Sequence, residues 1–283
     1  MISKNTIIFH KYHGARNDFI MINNLDGAIK LEPDYISYIC NRNFGIGADG
    51  LILIENSSKA GFFMNYINSD GTTAEMCGNG VRCAVKFFLS ETKKNFKKSE
   101  VLLCSVLVDT RAGIKKVEVN DDDTYSVNMG VPVLNHHDFP ETIKMSEVLP
   151  RTIEGYNFNC VSMGNPHAVA IVENLENVDL KSVGPKVETN SLFPNKINVE
   201  FAEKISETYY KVKVWERSCG ETLACGTGAC AVFSIIDELS IKKIPDDKEI
   251  ILEFPGGKLY LSKNHKGEII LRGPATFVFK GEI

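Results

Sequence analysis

Two segments of this chain share a cysteine followed by a glycine-rich turn. They read Met76-Cys77-Gly78-Asn79-Gly80 and Ala224-Cys225-Gly226-Thr227-Gly228, about half the chain apart. Each follows strand-like runs and leads into an apolar stretch with helical spacing, after which further strand-like runs come. The simplest interpretation is a duplicated half, so that the chain folds into two similar units.

A cysteine just ahead of a helix lies close to unpaired backbone N–H groups and to the positive end of the helix dipole. Both favour the thiolate, which predicts a thiol that reacts at lower pH than an ordinary one. Backbone N–H groups after each cysteine are expected to cradle an anion, such as a carboxylate. They belong to Gly78, Asn79, Gly80, Gly226, Thr227 and Gly228. Two such sites predict a pair of acid–base groups that work together.

The composition is that of an ordinary globular protein. The chain has 283 residues, with 43% hydrophobic and 24% charged residues and a net charge of −4. This length suits two domains, and the charge gives no sign of a nucleic-acid surface. The first residues lack the apolar run of a signal peptide, and no run approaches the ~20 apolar residues of a membrane span. We therefore expect a cytoplasmic protein without a membrane or nucleic-acid partner.

The cysteine pattern argues against structural metal sites and disulfides. A reducing compartment keeps thiols unpaired, and the spacings do not resemble the short pairs of structural zinc sites. We expect no metal, although a thiol redox or metal-binding protein remains an alternative. The eight cysteines are Cys40, Cys77, Cys83, Cys104, Cys160, Cys219, Cys225 and Cys230.

Most of the chain predicts short strands bounded by turns, with few helices. A helix is expected from Pro33 to Cys40, and another after Cys77, with Arg82 and Lys86 flanking its apolar positions. The stretch 229–236 is apolar almost all round, which predicts a helix enclosed by strands. The stretch 120–123 predicts a hairpin tip.

Several polar side chains near these turns could carry chemistry. Arg217 could clamp a carboxylate, Glu216 could orient a thiol or take its proton, and His167 could share a proton with a thiol. Asn68 and Asn198 offer both donors and acceptors to an amino acid. Surface charges, a turn histidine bonded to the backbone and ordinary turn chemistry are the alternatives.

The chain resembles the diaminopimelate epimerases, which interconvert LL- and meso-diaminopimelate. The run from Glu216 to Cys230 is the most specific part of the resemblance, and the order of the motifs also agrees. The matching stretches span His13 to Phe19, Asn41 to Leu51, Asn68 to Arg82, Val161 to His167 and Glu216 to Cys230.

The resemblance implies an α+β fold of two similar domains, each a β-barrel wrapped around a central helix, with the active site in the cleft between them. The first domain would comprise residues 1–128 and 272–283 and carry Cys77. The second would comprise residues 129–271 and carry Cys225. The resemblance also implies that no cofactor is used, that diaminopimelate is the substrate and that the enzyme is a homodimer.

Site residues follow from the same resemblance. Cys77 and Cys225 would be the catalytic acid–base pair, and His167 and Glu216 would tune the two thiols. The residues implied in substrate binding are Asn17, Asn68, Gly78, Asn79, Asn165, Asn198, Glu216, Arg217, Gly226 and Thr227.

The chain departs from the family pattern at two positions. Arg16 stands where a small residue, commonly glycine, is usual, which leaves the path of the loop before Asn17 open. Gly50 stands where some members have a glutamine that touches substrate, so that contact is not carried over.

A proline racemase-like enzyme with two cysteines is the nearest alternative. Asn79 after Cys77-Gly78, together with Glu216-Arg217, favours the diaminopimelate interpretation. The related phenazine-biosynthesis isomerases share the fold but lack the cysteine pair.

Overall fold

The structure is a computed structural model that describes residues 6–92, 105–134 and 151–283. Cys104 lies outside the described residues. The chain divides into two compact units. The first comprises Met1–Val127 and Gly273–Ile283, and the second comprises Asn128–Arg272.

In its described residues, the first unit has strands and two α-helices. In chain order they are β1 (Ile8–Gly14), β2 (Asn17–Asn24), α1 (Pro33–Cys40), β3 (Gly50–Glu55), β4 (Phe62–Asn68), α2 (Gly78–Thr92), β5 (Ser105–Asp109), β6 (Lys115–Val119), β7 (Thr124–Gly130) and β17 (Thr276–Glu282).

In the first unit, antiparallel hairpins alternate with parallel strand pairs that are connected through a helix. β1 pairs antiparallel with β2 and with β17, so the last strand of the chain belongs to this unit. β2 runs parallel to β3, and α1 lies in the connection between them. β3 and β4 form a hairpin, and β4 runs parallel to β5 after the chain passes through α2. β6 and β7 follow antiparallel, joined by the predicted hairpin tip at residues 120–123.

The second unit has the same kinds of element. In chain order they are β8 (Arg151–Ile153), β9 (Tyr156–Ser162), β10 (Pro166–Val172), a short 3-10 helix (Leu175–Asn177), α3 (Leu180–Glu188), β11 (Asn198–Ser206), β12 (Tyr209–Glu216), β13 (Gly220–Thr222), α4 (Gly226–Leu239), β14 (Ile250–Phe254), β15 (Gly257–Lys263) and β16 (Ile269–Pro274).

The pairing of the second unit repeats that of the first. The β9–β10 hairpin is followed by a parallel step through α3 to β11, and the β11–β12 hairpin by a parallel step through α4 to β14. β15 and β16 then add antiparallel, as β6 and β7 do in the first unit. The duplication predicted from the sequence is therefore confirmed. In both units the cysteine stands between the second hairpin and the helix that follows it.

That helix lies inside each sheet. α2 contacts every strand from β1 to β6, and α4 contacts β9, β10, β11 and β15. Residues 228–236 of α4 are all buried, as the continuous apolar run predicts. The predicted architecture of strands wrapped around a central helix is confirmed for each unit. The enclosed helix gives its first turn, and hence the cysteine, a fixed position relative to the surrounding strands.

The other two helices pack on the outer faces of the strands. Ile36 and Ile39 of α1 join a cluster with Ile20 and Leu51. Val183 and Val187 of α3 pack with Phe158, Val199 and Phe201. Strands such as β2 are covered on both faces, and Phe19, Ile20, Met21 and Ile22 are fully buried. A continuous apolar run is typical of such a strand.

The structure contains elements that were not predicted from the sequence, among them β5, β11 and α3. Gly184 and Pro185 interrupt the pattern of α3. Pro185 lies within the helix. Arg82, expected on the flank of α2, is fully buried. Within the described residues, no helix is long and apolar enough to cross a membrane.

Candidate active site

Cys77 lies directly ahead of α2, where the chain has left β4. Its carbonyl accepts the first helical hydrogen bond from the N–H of Val81 at 2.8 Å. The side chain is half-buried. Its Sγ donates to Oδ1 of Asn17, at the start of β2, over 3.3 Å. The helix start therefore aims this thiol at a side chain from the first hairpin.

Asn17 lies at the centre of a chain of amides that ends in charged groups. Its Nδ2 donates to Oδ2 of Asp49 at 2.7 Å, so its Oδ1 faces Cys77 and Nδ2 of Asn79, the latter at 3.3 Å. Oδ1 of Asn79 accepts from the guanidinium of Arg82 at 2.7 Å. Because Asp49 only accepts and Arg82 only donates, the two charged ends fix which way both amides point.

Charged residues hold Asp49, the acceptor of the Asn17 amide, in place. Arg42 donates to both oxygens of Asp18, at 3.0 and 2.7 Å, and to Asp49 at 2.7 Å. Lys11, itself nearly buried, lies 2.8 Å from Asp18. Burial alone would raise the pKa of Asp18, but the hydrogen bonds from Arg42 and Lys11 outweigh it and lower the pKa to about 2. Asp18 is therefore a stable anion at neutral pH.

Asn68 closes the turn that leads toward Cys77. Its Nδ2 donates to Oγ1 of Thr72 at 3.0 Å, and its backbone N–H donates to the carbonyl of Thr72 at 2.8 Å.

Cys225 caps the N-terminus of α4. Its Sγ accepts from the N–H of Gly228 at 3.3 Å and lies 3.4 Å from Oγ1 of Thr227. One N–H group of the predicted cradle is thus turned to the sulfur itself.

The electrostatics of Cys225 contradict the expectation of a thiol with a lowered pKa. Burial raises its pKa well above the ordinary value, and the charges of Glu216 and Glu200 raise it further. The bonds from Thr227 and Gly228 act in the opposite direction but are outweighed. The expectation was wrong because it considered only the effect of the helix N-terminus, which lowers the pKa of the thiol. Burial of Cys225 and the nearby carboxylates raise that pKa and outweigh it.

Glu216 ends β12 beside Cys225. Burial raises the pKa of its carboxyl, and hydrogen bonds from Thr222 and Cys225 only partly offset this. Oγ1 of Thr222, on the paired strand β13, donates to Oε1 of Glu216 at 2.5 Å. A carboxylate with a raised pKa next to a thiol is suited to exchange a proton with it.

His167 and Glu200 form a buried pair on neighbouring parallel strands. Both side chains are fully buried, with Nδ1 of His167 2.7 Å from Oε1 of Glu200. Nε2 of His167 lies 3.0 Å from Oδ1 of Asn165, whose Nδ2 donates to Oγ1 of Thr227 at 3.4 Å. A continuous polar path therefore joins His167 to the turn that carries Cys225.

Asn198 and Arg217 lie side by side at the ends of β11 and β12. Asn198 is buried, donates to the carbonyl of Pro166 at 2.8 Å and accepts from the N–H of Arg217 at 2.9 Å. The guanidinium of Arg217 donates to the carbonyl of Asn195 at 3.2 Å. The Asn198 side chain thus holds the backbone that carries Arg217.

Comparison with known proteins decides the family. The model of the diaminopimelate epimerase family matches residues 9–135 and 159–278. A diaminopimelate epimerase of Carboxydothermus hydrogenoformans is 42% identical over 280 residues, covering 97% of this chain and 98% of the relative. One of Methanococcus maripaludis is 41% identical over 284 residues, covering 97% and 99%. The chain belongs to the diaminopimelate epimerase family. It is therefore an isomerase.

Solved structures support the fold. A hydroxyproline epimerase from Agrobacterium vitis superposes with a TM-score of 0.68 at 12% identity, covering 99% of this chain and 91% of that one. A PhzF-family phenazine biosynthesis protein from Bacillus anthracis gives a TM-score of 0.67 at 17% identity, covering 99% of both. At these identities the two structures show a shared fold and give no information about the chemistry of this chain.

The two departures from the diaminopimelate epimerase pattern have structural consequences. Arg16 has a φ of +64°, a left-handed conformation that glycine adopts at little cost and other residues at some strain. The loop thus keeps a path that suits glycine. A Cβ on Gly50 would lie 2.6 Å from the carbonyl oxygen of Ile67 and from the ring of Tyr66. This backbone has no room for a glutamine there.

Three residues of the candidate site were not identified as site residues from the sequence: Glu200, Arg82 and Asp49. Glu200 interrupts the apolar run of β11, and Arg82 interrupts that of α2. A charged residue within an otherwise apolar run was the signal available for these two. Asp49 directly precedes β3 and gave no signal of its own.

Proposed function

We propose that this chain interconverts LL- and meso-2,6-diaminopimelate without a cofactor, with Cys77 and Cys225 as its two acid–base groups. The reaction is a step of lysine and cell-wall precursor biosynthesis. The observation that carries the proposal is the repeated position of the two thiols, each at the start of the enclosed helix of its unit.

Inversion at an α-carbon needs a proton removed on one face and returned on the other. In the proposed reaction one cysteine enters as thiolate and takes the α-proton, so the C–H bond breaks and an S–H bond forms. The other cysteine enters as thiol and gives its proton to the opposite face. The product is the epimer, and the roles of the two sulfurs are exchanged for the reverse reaction.

The hydrogen bonds of both sulfurs are those of thiols. Sγ of Cys77 donates to an amide oxygen, and Sγ of Cys225 donates to the carboxyl of Glu216 while it accepts from the N–H of Gly228. The high pKa of Cys225 means that its thiolate needs help. We propose that the substrate's ammonium group supplies positive charge beside Glu216 and Cys225, and that Glu216 takes the thiol proton.

Substrate recognition in this proposal uses polar groups around each thiol. The substrate carboxylate would bind the N–H groups that begin α2 and α4, at Gly78, Asn79, Gly226 and Thr227. Arg217 would pair with a carboxylate of the substrate. The remaining contacts proposed are those of Asn17, Asn68, Asn165, Asn198 and Glu216, and His167 with Glu216 would tune the thiols.

The test is incorporation of solvent deuterium at the α-carbon of LL-diaminopimelate. We expect exchange and epimerisation by the wild-type enzyme, and losses of at least a thousandfold in Cys77→Ser and Cys225→Ser. Cys219→Ser, an exposed cysteine close in sequence, is the matched control and should retain full activity. Wild-type rates in either catalytic variant would refute the proposal. L-Proline serves as the second substrate, and its racemisation would favour the proline racemase alternative.

Oxidation tests the pairing of the two thiols. If Cys77 and Cys225 serve the same carbon, a mild oxidant should inactivate the enzyme by joining them, and a thiol reductant should restore activity. Peptide mapping should recover the Cys77–Cys225 disulfide. An enzyme insensitive to both oxidant and alkylating agent would contradict a two-thiol site.

We further propose a homodimer in the cytoplasm. β17 supports the dimer, because its consecutive residues Phe277, Val278 and Phe279 are each about half exposed. Exposed apolar groups clustered in this way are typical of protein contact surfaces. Phe279→Glu should produce monomers in sedimentation velocity, whereas Ile205→Glu, at an exposed apolar position of β11, should not.

A further inference from the structure

Glu200 is a buried carboxyl that lies against the first turn of α4. Its side chain is fully buried. A Cβ built on Gly228 would be 2.6 Å from Oε1 of Glu200 and 3.1 Å from Cβ of Cys225. The carboxyl therefore reaches the turn that carries the thiol, although its hydrogen bond is made to His167 and not to the sulfur.

The partners of His167 determine how many protons the pair holds. Oδ1 of Asn165 can only accept, so Nε2 of His167, 3.0 Å away, carries a hydrogen. A further proton lies in the 2.7 Å contact between Nδ1 and Oε1 of Glu200. The pair is then either imidazolium with carboxylate or imidazole with carboxylic acid. Its net charge is zero in both cases.

The other oxygen of Glu200 is consistent with a neutral pair. Oε2 is buried and has no hydrogen-bond partner among the described residues. An isolated buried carboxylate in that state would be costly. A proton shared with His167 reduces this cost.

The orientation of the Asn165 amide also bears on the hydrogen bond between Thr227 and the sulfur of Cys225. Nδ2 of Asn165 donates to Oγ1 of Thr227 at 3.4 Å, which leaves the hydroxyl hydrogen of Thr227 free to point to Sγ of Cys225, also 3.4 Å away. If Nε2 lost its hydrogen, the amide of Asn165 would turn over. The Thr227 hydroxyl would then donate to Asn165, and Cys225 would lose a donor.

We propose that Glu200 is a positioning residue for Cys225, acting through His167, Asn165 and Thr227. Its carboxyl keeps Nε2 of His167 protonated and so leaves the Thr227 hydroxyl free to donate to the sulfur, a hydrogen bond that lowers the pKa of Cys225. The charge of Glu200 itself acts in the opposite direction, and the proton shared with His167 reduces that effect. The role in turnover rests on the proposed function of Cys225. The orientation of the path does not depend on it.

A double-mutant cycle between Glu200 and Thr227 tests this proposal, because the two side chains act through two intervening residues. In Glu200→Gln and in Thr227→Val we expect kcat to fall about tenfold, as for loss of one hydrogen bond to a charged group, with KM within about twofold. The double variant should be no slower than either single variant, because both remove the same donor. Effects that multiply to about a hundredfold would overturn the proposal, as would a fully active Glu200→Gln.

A second readout does not need epimerisation. The rate at which iodoacetamide labels Cys225, followed by peptide mass spectrometry, should fall in both single variants and no further in the double variant. Faster labelling in Glu200→Gln would show that the charge of Glu200 acts on the sulfur directly, and would overturn the proposal. This separates failure of the path from failure of the proposed function. Glu203→Gln, on the same strand with its carboxylate bonded to the N–H of Leu175, is the matched control and should label and turn over within about twofold of wild type.

A measurement on the unchanged protein covers the case in which Glu200→Gln does not fold. Nitrogen-15 NMR of labelled histidine, assigned with His167→Gln, should show a hydrogen on Nε2 of His167. A ring protonated only at Nδ1 would overturn the proposal.

Discussion

Gly80 and Gly228 hold the same place in their units, as the third residue of the enclosed helix, and neither has open space for a side chain. A Cβ on Gly80 would lie 3.0 Å from Cδ1 of Ile52 and 3.4 Å from Cβ of Cys77. On Gly228 it would lie 2.6 Å from Oε1 of Glu200 and 3.1 Å from Cβ of Cys225. At both positions the absent side chain lets another group come close to the cysteine.

Alanine should therefore be worse at 228 than at 80. The methyl end of Ile52 can rotate away, whereas the Glu200 carboxyl is held by His167 at 2.7 Å. We expect Gly228→Ala to lower kcat at least thirtyfold and Gly80→Ala less than tenfold, measured by epimerisation of LL-diaminopimelate. Equal effects would show that the Glu200 carboxyl can move as easily as an isoleucine methyl.

The sequence repeat allowed much of the fold to be predicted. A comparison of the two halves element by element would also have predicted α3. The two cysteine turns, their helices and the enclosed position of α4 follow from local patterns. α3 was missed because Gly184 and Pro185 obscure its pattern. Once the chain is known to be duplicated, however, α1 between β2 and β3 requires a counterpart between β10 and β11.

The electrostatics of the candidate site could not be predicted in the same way. A thiol at a helix start suggests a low pKa, but the pKa of Cys225 is raised by enclosure and by Glu216 and Glu200. Glu200 is 25 residues before Cys225 in the chain and reaches it only because β11 packs against α4. Such long-range neighbours have no local signal apart from a charge in an apolar strand.

Arg82 should contribute substantially to stability. Its buried guanidinium donates to Oδ1 of Asn79 and to the carbonyls of Gly78 and Pro274. Arg82→Met removes these donors, but the Gly78 carbonyl keeps its helical hydrogen bond in α2. Two buried acceptors lose this donor, so we expect a loss of about 2 kcal/mol in the free energy of unfolding, at about 1 kcal/mol for each. Urea denaturation measures it.

Arg111 supplies a matched control for Arg82. Its guanidinium also donates to two carbonyls and to an asparagine Oδ1, those of Tyr66, Ala74 and Asn65, but the side chain is exposed. Water can replace its bonds, and Arg111→Met should cost less than about 1 kcal/mol. Comparable losses in the two variants would mean that burial is not what makes Arg82 important.

Glu216→Gln should make Cys225 more reactive and the enzyme less active. The charge of Glu216 is the second-largest cause of the raised pKa of Cys225, after burial. Its removal lowers that pKa, so labelling of Cys225 by iodoacetamide at pH 8 should be faster than in wild type. Turnover should fall at least a hundredfold, because the proposed proton acceptor is gone. Slower labelling would show that Glu216 promotes the thiolate in the unliganded enzyme.

Asp18 should make stability depend on pH at the acid end. Its pKa is about 2 in the folded protein against an ordinary value of 3.8. The ionised form is therefore favoured by folding. Its contribution is present above pH 4 and is lost as the pH falls toward 2, and it amounts to about 2 kcal/mol. Asp18→Asn should be less stable by about this amount at pH 7 in urea denaturation, and the difference from wild type should shrink below pH 4.

The exposed Asp121→Asn should follow wild type throughout. A difference that stays constant down to pH 2 would mean that the hydrogen bonds of Arg42 and Lys11 to Asp18 do not depend on its charge.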